Sequence, residues 1–215
     1  RIDDCVALLP RALDEYASGG AYDETVVNRF NRMSWLVHRL SGPWRQQQFA
    51  DADGYVLDVA CGTGVNFRYV PESADIVGID VSPDMLTAAR EEADALGREI
   101  ELEQMDAQQL TFEDNEFDTV ISSFSTCTFP DPQAALAEMN RVCRPEGRVL
   151  LLEHGRSSVG PIAKFQDWRA EAHFQKHACR WTQEPLEIVA NSPLQVESHW
   201  TALFGIITGM VATPE

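Results

Sequence analysis

The sequence predicts an α/β fold: a seven-stranded, mostly parallel sheet with helices on both faces and an antiparallel last strand. Three observations predict it. From Tyr55 onward short apolar runs alternate with helical stretches, the pattern of a parallel sheet wound by right-handed crossovers. Val81-Ser82-Pro83-Asp84 puts a cap-capable Ser directly before a first-turn Pro, a helix start in the middle of that alternation. Near the end, two further apolar runs lie close enough in sequence to pair antiparallel. A chain of 215 residues suffices for one such domain and is too short for two full ones.

Taken in order, the first fifty residues read as helical. Val26, Phe30, Met33 and Val37 recur at helical spacing, and Ser41-Gly42-Pro43 is expected to break the run before Trp44. Strands are expected at Tyr55–Ala60, Asp75–Ile79, Ile100–Met105, Thr119–Ser123 and Arg148–Leu152. Helices are expected at Pro83–Leu96 and Pro132–Cys143. Arg144-Pro145-Glu146-Gly147 reads as a turn between the last of these helices and its strand. Leu194–Trp200 and Gly205–Ala212 complete the sheet, after a helical insertion between Gly160 and Asn191.

Composition narrows the function. The formal charge of -17 disfavours nucleic acid and anionic membrane as partners. Asp and Glu are abundant while lysine occurs only at Lys164 and Lys176, a balance that fits a salt-adapted source. The five cysteines (Cys5, Cys61, Cys127, Cys143 and Cys179) are odd in number and form no C-x-x-C pair. This argues against a disulfide framework and a zinc site, and fits a reducing cytoplasm. No transmembrane segment is expected, since the longest apolar stretch, Ala202–Ala212, is interrupted by Thr208 and Gly209. Asp3 and Asp4 stand where the apolar core of a signal peptide would have to be, and Arg1 is not an initiator.

The chemistry concentrates in Val56-Leu57-Asp58-Val59-Ala60-Cys61-Gly62-Thr63-Gly64. There a buried strand runs into a glycine turn that lets a ligand approach backbone at a helix N-terminus. A dinucleotide fingerprint would need a third glycine at position 67, which is Phe. That departure, with Asp58 inside the strand, points away from NAD and toward S-adenosyl-L-methionine (SAM). Asp80 ends the second strand, where a carboxylate can accept hydrogen bonds from both ribose hydroxyls. Asp106 ends the third, where it can accept from an adenine amino group. The strand Phe117–Phe124 would line the methyl-donor end with its tip.

Together the segments LDVACGTG, VGIDVSPDML, MDAQQLTFEDNEFDTVISSF and MNRVCRPEGRVLLLEH resemble the Rossmann-like core of class I SAM-dependent methyltransferases. The similarity is to the ubiquinone/menaquinone C-methyltransferase type and extends from Val56 to Gly155. It implies SAM contacts from Thr63, Asp80, Asp106, Ala107 and Ser123, with the Gly62–Gly64 turn beside the amino-acid moiety. The full candidate cofactor set is Asp58, Ala60, Cys61, Gly62, Thr63, Gly64, Asp80, Val81, Met85, Asp106, Ala107 and Ser123. Arg29-Phe30-Asn31-Arg32-Met33, His38-Arg39 and Trp44-Arg45 look like that family's N-terminal motif, with Phe30-Asn31 in place of its usual Tyr-Asp. Leu152–Gly155 and Ala178–Glu184 are similar to methyltransferase-like proteins that methylate alkyl thiols. Small bacterial phospholipid N-methyltransferases also carry Glu-His after this strand.

The resulting plan is a single domain: a helical cap over 1–53, a SAM-binding core over 54–155, an acceptor-side insertion over 156–193 and a strand pair over 194–215. His154, at the sheet's carboxyl edge, is the candidate general base. Its strand neighbour Glu153 is expected to anchor a loop or pack on a helix. His173 and His177 have metal-compatible spacing on a helix but no evident third ligand, so no metal is expected. Cys127 is expected to pack. Phe165, Trp168, Phe174 and Trp181 should form the insertion's own core or wall a small apolar acceptor pocket. The acceptor is thus a small molecule of quinone or thiol type; an amine N-methyltransferase or a non-catalytic SAM-binding regulator are the alternatives.

Overall fold

A computed structural model describes residues 34–215, so the helical run Val26–Met33 and the Arg29–Met33 motif lie outside the described residues. The elements follow as α1 (Ser34–Phe49), β1 (Tyr55–Val59), β2 (Asp75–Asp80), α2 (Pro83–Leu96), β3 (Glu101–Gln104), β4 (Phe117–Ser123), α3 (Pro132–Val142), β5 (Cys143–His154), α4 (Gly160–His177), α5 (Pro185–Ala190), β6 (Leu194–Ala202) and β7 (Ile207–Pro214). They form one sheet of order β3-β2-β1-β4-β5-β7-β6. Neighbours from β3 to β5 are parallel, and β7 runs antiparallel to both β5 and β6.

The central strands β1 and β4 are apolar because both of their faces are covered. One face packs a cluster around Leu57, Val59, Phe117, Leu136 and Met139. The other packs Phe49, Val56, Phe67, Ala89 and Leu152. The expected cap at Ser82 is in place, and the structure adds two more. Ser82 accepts from the Met85 amide at the start of α2, and Gly97 closes that helix at φ 66°. Asp131 accepts from the amides of Gln133 and Ala134 at the start of α3.

Two local expectations fail. Ser41-Gly42-Pro43 does not break the N-terminal helix: α1 runs through Pro43 to Phe49. Tertiary contacts hold the turn together. The Pro43 ring faces solvent, Gly42 lies against the Tyr69 hydroxyl, and Arg45 Nε donates to Ser41 Oγ across the turn at 3.2 Å. At the helix end, Gln48 donates to the Met210 carbonyl (2.7 Å) and accepts from the Trp200 indole (2.9 Å). These bonds dock α1 onto the antiparallel strands and aim Leu40, Ser41 and Arg45 at the cleft. Arg144–Gly147, expected as a separate turn, is a bulge inside β5. Cys143 pairs with Phe117 and Arg148 with Thr119, so the extra residues loop out while the ladder continues.

Candidate active site

The carboxyl ends of β1, β2 and β4 converge on a cavity of about 420 Å³, the position where open α/β sheets bind ligands. Local backbone strain marks the place. Ala60 and Phe124, the residues just after β1 and β4, hold φ of 55° each, a left-handed conformation that costs a non-glycine residue about 1–2 kcal/mol. Gly62, at φ 56°, presents its open side with nothing within 4 Å of a would-be Cβ. A ligand can therefore lie directly on that backbone.

Asp80 is buried at the cavity floor. One carboxylate oxygen accepts from the Gly62 amide (3.0 Å) and the other from the Ser82 amide (2.9 Å). It thus ties the glycine turn to the start of α2 and still has lone pairs facing the cavity. Burial raises its carboxyl above the usual range, against the pull of those amides.

Behind the glycine turn lies a buried polar network. Asn66 donates to both oxygens of Asp58, at 2.9 and 3.1 Å. The Asn66 carbonyl oxygen in turn accepts from the Arg45 guanidinium and from Ser123 Oγ (3.0 Å). Arg45 also donates to Ser123 Oγ at 2.6 Å and lies over the Phe124 ring, 5.0 Å from its centroid. Burial pushes the Asp58 carboxyl up to about 7 despite the Asn66 bonds and the Arg45 charge. Burial also brings Arg45 down to about 10.

Nine of the expected cofactor residues line the cavity: Ala60, Cys61, Gly62, Thr63, Asp80, Val81, Met85, Ala107 and Ser123. Three do not. Asp58 is fully buried and reaches the site only through Asn66. Gly64 turns away at φ 76°, packed on Phe67 and Ala89. Asp106 is engaged in its own turn by the Gln108 amide (2.9 Å) and side chain. Phe124, at the tip of the strand expected at the methyl-donor end, lines the cavity as well, as do Leu40, Arg45 and Phe129, which no spacing rule singled out. Arg45 comes from a helix distant in sequence, and only the Trp44-Arg45 resemblance hinted at it.

His154 is not among the cavity-lining residues; its ring stacks on Phe124, centroids 6.1 Å apart. Glu153 anchors a loop: its Oε1 accepts from the Ser125 and Thr126 amides, both at 3.2 Å, fixing the segment that follows β4. None of the insertion's four aromatic residues lines the cavity; Phe174 and Trp181 are half-buried, and Trp181 packs on His173 and Phe165. Phe165 is 55% and Trp168 74% exposed, and α4 buries only Ala163 and Gln166. Among the described residues no helix is long and apolar enough to cross a membrane.

Comparison with known proteins agrees with this geometry. The family described as a methyltransferase domain matches residues 57–151. A phosphatidylethanolamine N-methyltransferase of Cereibacter sphaeroides is 37% identical over 161 residues, covering 70% of this chain and 78% of that protein. A ubiquinone/menaquinone biosynthesis C-methyltransferase of Bdellovibrio bacteriovorus is 37% identical over 136 residues. Those residues cover 60% of this chain but only 57% of that protein's length. In fold, the chain resembles a SAM-dependent methyltransferase from Aquifex aeolicus with a TM-score of 0.58 at 20% identity, covering 83% of this chain and 97% of that one. A glycine turn open to the cavity, a buried carboxylate beside it and an apolar wall suit a nucleoside carrying a sulfonium. The chain belongs to the class I methyltransferases that use S-adenosyl-L-methionine as methyl donor.

Proposed function

We propose that the enzyme methylates a small apolar acceptor, a quinone-type ring carbon or a thiol, in the cavity described above. In this reading Asp80 accepts from the ribose hydroxyls, Ala107 and Val81 flank the adenine, and Gly62 and Thr63 meet the amino-acid moiety. SAM supplies a methyl group already activated on sulfur. The protein's task is then to hold the acceptor in line and exclude water, a contribution of up to about 7–11 kcal/mol. The observation that carries the acceptor class is the wall beyond the nucleoside residues: Leu40, Phe124 and Phe129 are apolar. Arg45, the one cation among the described lining residues, is already engaged by Asn66, Ser123 and Ser41. An anionic head group would find little to hold it there.

A second reading, N-methylation of a phospholipid amine, is favoured by the phosphatidylethanolamine N-methyltransferase whose length this chain covers to 78%. Methyl-labelled SAM separates the two when offered with a demethylated quinone, a small alkyl thiol and phosphatidylethanolamine vesicles in parallel. Label in the quinone or the thiol is the expected result. Label in the vesicles alone would replace the first reading by the second, and label in none would remove the apolar-acceptor class.

The cofactor site also carries a pH dependence. Asp58 sits at about 7 in the free protein, near Arg45 and Asp80. A bound sulfonium and ammonium favour its carboxylate, so binding expels a proton wherever the free protein is protonated at Asp58. SAM affinity should therefore rise with pH, by up to about tenfold between pH 6 and 8, and level off above. Calorimetry across that range checks it; Asp58→Asn should flatten the profile, and a wild-type affinity constant from pH 6 to 8 would contradict the assignment.

A further inference from the structure

We propose that Cys127, His154 and Cys179 form a binding site for a soft divalent metal ion of the zinc class. The three residues are far apart in sequence, which is why no ligand spacing announces them, and the fold gathers them. Cys127 follows β4, His154 ends β5, and Cys179 follows α4. His154 Nε2 lies 3.2 Å from Cys127 Sγ and 3.4 Å from Cys179 Sγ, and the two sulfurs are 3.4 Å apart. Around a tetrahedral zinc ion, with sulfur at about 2.3 Å and nitrogen at about 2.0–2.1 Å, ligand atoms stand roughly 3.5–3.8 Å apart. Each corner of this triangle needs to open by only a few tenths of an ångström to admit the ion.

Neighbouring backbone holds the triangle in place. Ala178, at φ 50°, turns the chain out of α4. The Arg180 amide then donates to the Cys127 carbonyl at 3.0 Å. Gln183 bridges Thr126 Oγ1 and the His154 carbonyl, at 2.9 and 3.0 Å. The segment carrying Cys179 is thus stitched to both of the other ligand-bearing segments. His173 and Trp181, which flank Cys179 in the chain, stack with centroids 4.3 Å apart and brace that segment. Metal binding would displace the thiol protons, giving two thiolates and one imidazole with a fourth position for water. A disulfide between the cysteines would leave the convergence of His154 Nε2 on both sulfurs unused. Bound metal would clamp the end of α4 to the carboxyl edge of the sheet, next to the Phe124 wall of the cavity.

The test uses the full chain, reduced and stripped with a chelator, titrated with Co²⁺ and then Zn²⁺. The expected result is equimolar Co²⁺ binding with a thiolate-to-cobalt charge-transfer band and the visible bands of tetrahedral cobalt, both abolished by zinc. Cys179→Ser and His154→Gln should each weaken binding on the order of a hundredfold or more and reduce the band. Equimolar zinc should also shield the partly exposed Cys179 of the wild-type chain from alkylation, a readout that needs no variant to fold. A missing charge-transfer band, zinc affinity unchanged in Cys179→Ser, or Cys179 alkylated equally with and without zinc would overturn the site. So would a Cys127–Cys179 cross-link in air from a chain that binds no zinc when reduced.

Discussion

Asp80→Ala should weaken binding of both SAM and S-adenosylhomocysteine by about tenfold to a hundredfold, the loss of charge-assisted bonds worth about 1.5–3 kcal/mol. The structure adds a second cost to the one expected from the ribose alone. The same carboxylate holds the Gly62 and Ser82 amides, so its removal leaves two donors without their acceptor and loosens the turn the ligand lies on. Asp80→Asn keeps an acceptor oxygen for one of them and should fall between wild type and Asp80→Ala. Calorimetry on the three proteins decides. Unchanged SAM affinity in the alanine variant would remove Asp80 from the site.

Arg45→Ala should destabilise the fold by about 3–5 kcal/mol, the usual consequence of removing one partner of a buried charged pair. Asp58 is fully buried and, through Asn66, meets Arg45, the cation among the described residues that lowers its carboxyl. The sign of the pH dependence follows from the Asp58 carboxyl lying near 7. Loss of Arg45 raises it further. Below that value the group is neutral and needs no partner; above it the folded state must hold an unpaired charge. The destabilisation should therefore be larger at pH 8 than at pH 6. Arg45→Met combined with Asp58→Asn should recover most of the loss, because it removes both charges together. Urea melts of the single and double variants at the two pH values measure it. A single-variant loss below about 1 kcal/mol, or a double variant no more stable than the single, would show that the network does not act as a unit.

The parts of this protein legible in its sequence are those governed by neighbours in the chain. The β-α alternation, the cap at Ser82 and the antiparallel end all follow from periodicity and local hydrogen bonding, and all are present. The glycine turn and Asp80 were legible for the same reason, since a strand end and a tight turn place their side chains by local geometry. The sequence reading erred where distant contacts overrule local propensity. Pro43 stays helical because Gly42, Arg45 and Gln48 are gripped from outside the helix, by Tyr69, by Asn66 and Ser123, and by Met210. Asp58 looked like a ligand contact, yet it lies one layer beneath the turn.

By itself, then, the sequence determined the class of sheet, the methyl donor and the cavity floor, because each is written in a contiguous motif. The tertiary structure decided what no contiguous motif can contain. Arg45 becomes the partner of Asp58 and Asn66 only when α1 docks across the sheet. Cys127, His154 and Cys179 become one cluster only when α4 folds back over the ends of β4 and β5. Side chains separated by tens of residues meet through packing, and packing is set by the whole core at once.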